Sequence, residues 1–221
     1  MCGRFTLHTP PEELREHFGV DAVPDIGASY NVAPSQSVPA VRIADRHREM
    51  VRLHWGLIPS WAKETKVGYR MINARAETVA DKPAYRAAFR RRRCLIPADG
   101  FYEWQQTATG KQPWYFRMQH GGVFAFAGLW EHWEGKDEVV ESCSIIVTVA
   151  NDSVRPVHDR MPVIIEPADY EHWLDPEVRQ AATFKPLLRP YPADKMIACP
   201  VSTRVNSPAN NDADCIAAVD A

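Results

Sequence analysis

The chain has 221 residues, 45% of them hydrophobic, enough for one large core or two small ones. A formal charge of −2 excludes a generally basic surface, so a nucleic-acid site must be a local patch. No apolar run reaches membrane-spanning length and no secretory leader is recognisable, which points to a cytosolic protein.

The first motif is Met1-Cys2-Gly3-Arg4-Phe5. Methionine ahead of a small residue is normally trimmed, and trimming here makes Cys2 the mature terminus. Such a residue carries an α-amine and a thiol on adjacent carbons, with reference pKa values of about 7.7–8.0 and about 8.5. At pH 7 roughly a tenth of the amine is unprotonated, against on the order of 0.05% of a lysine, which favours imine chemistry at the terminus. An inert, buried cysteine is the plain alternative. The cysteines at 2, 94, 143, 199 and 215 include no C-x-x-C pair. Reduced thiols are therefore expected, with neither a disulfide framework nor a zinc site.

Thr9-Pro10-Pro11-Glu12 predicts a capped helix start, with Leu14 and Phe18 on one face and Gly19 ending it. After the loop Tyr30-Asn31-Val32-Ala33-Pro34, residues 38–44 and 49–57 alternate as strands around Asp45-Arg46-His47, a hairpin. Residues 82–92 read as a helix with Tyr85 and Phe89 on one face and Arg86, Arg90 and Arg93 on another. The run Arg90-Arg91-Arg92-Arg93 reads as a solvated face and is left out of the site. Residues 94–106, 113–118, 123–133, 139–150, 161–165 and 196–203 read as strands separated by glycine-marked turns, with helices over 168–174 and 177–188. Short turns imply antiparallel pairing. The expected class is α+β, a single domain over 1–221 with a rolled, barrel-like antiparallel β-sheet flanked by a few α-helices.

Three stretches place polar groups where a strand-rich core prefers apolar ones. Alternation through 71–78 puts Asn73, Arg75 and Glu77 on one strand face, which also fits a solvated outer face. Glu103 stands among Phe101, Tyr102 and Trp104, where desolvation would raise its pKa and suit it to acid catalysis; an edge glutamate facing water is the alternative. His158 and Arg160 precede the apolar Val163-Ile164-Ile165, at a strand end of the kind that often carries function. A loop histidine bonded to a neighbour fits equally.

In chain order, Cys-Gly-Arg-Phe at 2–5, Tyr-Asn-Val-Ala-Pro at 30–34, Trp-Gly-Leu-Ile-Pro-Ser-Trp at 55–61, Ile-Asn-Ala-Arg-Ala-Glu-Thr at 72–78, Pro-Ala-Asp-Gly-Phe-Tyr-Glu-Trp at 97–104 and Val-His-Asp-Arg-Met-Pro at 157–162 carry a shared signature. Pro-Val-Ser at 200–202 and Val-Asn at 205–206 extend it. The chain resembles, over nearly its whole length, the SOS-response-associated peptidase family, abasic-site processing proteins that crosslink themselves to damaged single-stranded DNA. The resemblance implies that the Cys2 amine captures the lesion aldehyde as an imine and that its thiol closes a thiazolidine. Weak lyase activity and self-catalysed loss of Met1 are further implications. It implies that Glu103 assists ring opening and proton transfer, that Asn73 holds the amine and the thiazolidine, and that His158 binds the opened sugar. Arg4, Arg75 and Arg160 are expected to contact phosphates, with Pro34, Trp61 and Thr148 lining the same site. Ala62 follows Trp61 where some relatives carry a second tryptophan, which bears on base stacking.

Single-stranded DNA with abasic sites is the expected partner of a cytoplasmic monomer, nucleoid-associated when crosslinked. No metal or cofactor is implied. Two other classes remain on residue chemistry: an N-terminal-nucleophile glutamine amidotransferase, in which the thiol attacks an amide and the amine is the base, and a noncatalytic reader of modified or single-stranded DNA.

Overall fold

In the computed structural model, which describes residues 2–220, the buried strand β1 (Phe5–Leu7) leads into α1 (Pro11–Phe18). α1 buries Leu14 and Phe18 and stops at Gly19, whose φ of +62° is the left-handed conformation a helix C-terminus favours. Its start differs from expectation. No side chain caps the helix; the Thr9 hydroxyl and N–H instead donate to Asp99.

β2 (Ser29–Val32), β3 (Ser37–Ala44) and β4 (His47–Trp55) follow, and β3 and β4 form the expected hairpin. Asp45 and Arg46 both take positive φ, as a two-residue turn matched to strand twist requires. After β5 (Asn73–Arg75) come α2 (Arg86–Arg91), β6 (Arg93–Ala98), β7 (Gly100–Thr107), β8 (Gly110–Met118), β9 (Phe124–Glu134) and β10 (Val139–Val149). The chain ends with β11 (Arg160–Pro162), β12 (Ile164–Ile165), α3 (Tyr170–Leu174), α4 (Ala181–Phe184) and β13 (Met196–Pro200).

β10, β4, β3, β6 and β9 pair in sequence, and β9 closes on β10, giving a five-stranded barrel. The pairings of β10 with β4 and β5 are parallel and the rest are antiparallel. Short turns enforce antiparallel neighbours; the parallel pairs arise where long connections bring β4 and β5 beside β10. A second sheet, β13-β8-β7-β1-β2, is antiparallel throughout. The two sheets share one core: Phe5 and Phe101 meet Trp55 and Phe126 at ring-centre distances of 5.1–6.2 Å.

Several boundaries move for identifiable reasons. The strand expected over 94–106 breaks at Asp99, whose carboxylate accepts the backbone N–H groups of His8 and Thr9. Only a glycine fits next, because a Cβ at Gly100 would lie 2.4 Å from the Tyr115 ring. The stretch 161–165 splits at Val163, which donates to Ile146 and accepts from Ala127 while β11 pairs with β10 and β12 with β9. The helix expected over 177–188 reduces to α4 and a 3-10 turn at Lys185–Leu187, where Pro186 lacks the donor a helix interior needs. Glu77 lies in a turn beyond β5, not on its face.

Arg93 is the largest departure. It sits in β6, buried, where its guanidinium donates to the carbonyls of Trp173 (2.7 Å), Phe89 (2.7 Å), Val178 (3.1 Å) and Asp175 and stacks 4.0 Å from the Phe184 ring centre. A buried cation here pins α3 and the segment after it to the barrel. Among the described residues no helix is long and apolar enough to cross a membrane.

Candidate active site

β1 pairs with β7 so that Phe5 faces Phe101, and the Tyr102 N–H donates to the Arg4 carbonyl at 3.0 Å. Continuing that register back from Phe5 sets Gly3 opposite Glu103 and Cys2 opposite Trp104, and Cys2, with no solvent exposure, is near enough to feel the Glu103 charge. Burial pushes the Cys2 thiol well above its ordinary range, and the nearby Glu103 charge pushes it further, so the sulfur keeps its proton.

Glu103 is itself only 3% exposed. Burial raises its pKa to about 7, and the Asp159 charge adds to the rise. His158 Nε2 lies 4.0 Å from Glu103 Oε2. On the ring's other side the Arg160 N–H donates to Nδ1 at 3.0 Å, and the exposed Asp159 carboxylate lies 3.0 Å from the same nitrogen. Burial lowers the His158 pKa despite that carboxylate. The neutral ring accepting at Nδ1 then carries its proton on Nε2, toward Glu103. The His158 N–H donates to the Val154 carbonyl at 2.9 Å, and that turn begins with Asn151 Oδ1 accepting the N–H groups of Ser153 and Val154.

Asn73 is held by pairing of β5 with Ile145 of β10 and by Tyr85, whose hydroxyl donates to the Asn73 carbonyl at 3.0 Å. Its side-chain amide donates to the Ile72 carbonyl at 3.0 Å. Its Oδ1 is buried and has no hydrogen-bond partner among the described residues. Such an acceptor would be satisfied by an arriving N–H.

Two clefts result. Glu103, Trp104, Lys111, His158 and Asn206 line one of about 440 Å³. Trp61, Asn73, Arg75 and Tyr85 lie in another of about 520 Å³. Arg160, two residues past His158, bridges toward the second through an ion pair with Glu77. Cys2, Glu103 and His158 thus form one cluster, while Asn73 opens on the neighbouring cleft.

The expected DNA contacts divide. Trp61 is 63% exposed, Arg75 is exposed beside it, and Pro34 is half-buried. Arg4 is committed internally: Nη1 donates to Asn31 Oδ1 and to the Val205 carbonyl, both at 2.6 Å, and its guanidinium lies 5.9 Å from the Trp104 ring centre. Thr148 is largely buried, and its hydroxyl donates to the Leu188 carbonyl at 3.2 Å. Trp104, Lys111 and Asn206 were not singled out individually from the sequence, because cleft walls built from a hairpin and the distant C-terminal segment leave no local pattern. Met1, whose removal the aminothiol reading requires, lies outside the described residues.

Comparisons with known proteins show the family and the fold. The family model described as "SOS response associated peptidase (SRAP)" matches residues 1–208. The chain is similar to the abasic site processing protein YoaM of Bacillus subtilis, at 43% identity over 97% of this chain and 96% of that one. It is similar to the abasic site processing protein HMCES of Xenopus tropicalis at 31% identity, over 99% of this chain and 78% of that one. Among solved structures, a protein from Bacteroides thetaiotaomicron superposes with a TM-score of 0.90 at 26% identity, covering 99% of this chain and all of that one.

Proposed function

This chain belongs to the SOS response associated peptidase family, and from that premise we propose that it processes abasic sites by joining itself to them in single-stranded DNA through Cys2. The observation that carries the reading is a buried cysteine at the head of β1 beside a carboxyl group titrating near neutrality and a neutral imidazole.

With Met1 removed, the Cys2 amine attacks the aldehyde carbon of the ring-opened deoxyribose, forming a carbinolamine. Glu103 gives a proton to the carbinolamine hydroxyl, which leaves as water, and a protonated imine remains. The Cys2 S–H then adds across that bond: sulfur bonds to the former aldehyde carbon and its proton goes to the Glu103 carboxylate. Glu103 is restored, and the sum is aldehyde plus aminothiol giving thiazolidine plus water. A carboxyl with a pKa near 7 populates both forms such a cycle uses. Because the thiol is buried and protonated, the amine is the first nucleophile, and the tethered thiol closes with an effective molarity that reaches about 10⁵ M in well-oriented systems.

Asn73 Oδ1 accepts the N–H of the captured amine, and the His158 Nε2–H donates to a hydroxyl of the opened sugar. Ring closure removes the imine that would acidify the neighbouring sugar proton, so strand-breaking lyase activity competes with closure. Arg75 and Trp61 supply a phosphate contact and a stacking face, while Arg160 exchanges Glu77 for a phosphate. The protein acts as a cytoplasmic monomer. An ordinary aminopeptidase suffices to remove Met1, although self-catalysed removal belongs to the same reading. The amidotransferase alternative needs the thiol as first nucleophile, which its burial disfavours.

Intact-protein mass spectrometry before and after incubation with a single-stranded oligonucleotide carrying one abasic site tests the reading, with Cys2→Ala in parallel. The expected result is a starting mass lacking Met1 and a stable protein–DNA species that requires Cys2. A trimmed protein that forms no adduct overturns it, and reversible binding that survives Cys2→Ala would then favour a noncatalytic reader.

A further inference from the structure

We propose that Lys111 and Asn206 form a phosphate subsite on the wall of the Glu103–His158 cleft, binding the backbone phosphate next to the abasic nucleotide on the side away from Trp61 and Arg75. This rests on the function proposed above and deepens it, since it says how the strand is held on the second side of the lesion.

The argument begins with the cations near the site. Arg4 is tied through Nη1 to Asn31 and to the Val205 carbonyl. Arg160, which exchanges Glu77 for a phosphate in that reading, and Arg75 both serve the Trp61 side. The cleft that holds Glu103 and His158 has Lys111 as its cation, exposed and with no carboxylate paired to it among the described residues. Glu103, when ionised, makes this cleft's own charge unfavourable to DNA, so a phosphate lodged there needs a counter-charge on the wall.

Lys111 is held in place by its hairpin. It pairs in register with Gln106, which puts it on the face of the β7–β8 ribbon that also carries Trp104. The turn is tied by the Thr107 hydroxyl donating to the Gly110 carbonyl at 2.9 Å. The second member comes from the far end of the chain. Trp104 Nε1–H donates to Asn206 Oδ1 at 2.8 Å, which turns the Asn206 amide so that its NH₂ group, unpartnered among the described residues, is the end left to donate. An ammonium and a fixed amide NH₂ on one wall are a donor pair for a phosphate oxygen.

Binding is measured by fluorescence anisotropy across a salt series, using a single-stranded oligonucleotide with a tetrahydrofuran abasic analogue, which has no aldehyde and forms no adduct. Lys111→Gln is expected to weaken binding several-fold and to lower the slope of log K against log salt by about 0.7, the contribution of one single-strand phosphate contact. Lys111→Arg should restore both. Asn206→Asp keeps the acceptor for Trp104 and should weaken binding in the same direction. One methylphosphonate placed on either side of the analogue then locates the contact: at one position it weakens the wild type but leaves Lys111→Gln unchanged.

Equal affinity and salt slope in Lys111→Gln and wild type overturn the subsite, as does a methylphosphonate loss of the same size in both at every position. Wild-type protein that binds with the predicted Lys111 dependence yet forms no adduct would sink the crosslinking reading and leave the subsite standing.

Discussion

His158 Nε2 stands 4.0 Å from Glu103 Oε2, while the Arg160 N–H holds the opposite ring nitrogen. Chain order separates the two residues by an entire barrel wall. Their approach sets a carboxyl group that titrates near neutrality beside a neutral imidazole and a thiol that keeps its proton.

Glu103 carries a stability cost that depends on pH. Its folded-state pKa, raised to about 7 from an ordinary 4.5, means the folded protein binds this proton more tightly than the unfolded chain does. That advantage is complete below about pH 4.5 and is lost as pH rises through 7. Glu103→Gln should therefore match wild-type stability near pH 4.5 and exceed it above pH 7, by on the order of 3 kcal/mol at most. Thermal unfolding at both pH values checks this, and the same variant should crosslink more slowly.

Cys2→Ala separates the two halves of the proposed reaction. Removing one buried sulfur costs about 1 kcal/mol and leaves the fold intact. The amine remains, so the variant should give an imine that borohydride traps, together with increased strand cleavage, and no adduct stable without the reductant. A denaturing gel with and without borohydride reads all three.

Asn73→Ala should lower the crosslinking rate by tenfold or more while changing stability little. The side chain offers the folded protein one local bond to Ile72, and its buried Oδ1 is unsatisfied among the described residues. Single-turnover kinetics beside urea unfolding distinguishes loss of function from loss of fold.

Arg93→Ala should be the most damaging of these changes, by about 3 kcal/mol or more, because it strands the carbonyls of Phe89, Trp173, Asp175 and Val178 together. Arg90→Ala, on the exposed outer side of α2, should shift the unfolding midpoint little. Urea midpoints for the two variants provide the comparison.

How much of this was legible in the sequence differs by element. The β3–β4 hairpin and the face of α1 that carries Leu14 and Phe18 were legible because strand and helix periods are local properties. The strand through Glu103 was legible too, but its break at Asp99 was not, since the cause lies in His8 and Thr9. Arg93 was misplaced on a solvated face because its four carbonyl partners come largely from residues about eighty positions away.

For the site, residue type and local setting raised Cys2, Glu103 and His158 as candidates beside plainer alternatives, and the family resemblance joined Asn73 to them. Sequence could not decide burial, and burial is what keeps the Cys2 thiol protonated, moves Glu103 toward neutrality and holds His158 neutral. Nor could it say that Arg4 and Thr148 turn inward or that Asn206 returns to Trp104. Composition and local pattern determine which groups are available, whereas desolvation and hydrogen-bond partners are set by neighbours distant in the chain. Only the closed barrel and the sheet packed on it bring those neighbours together.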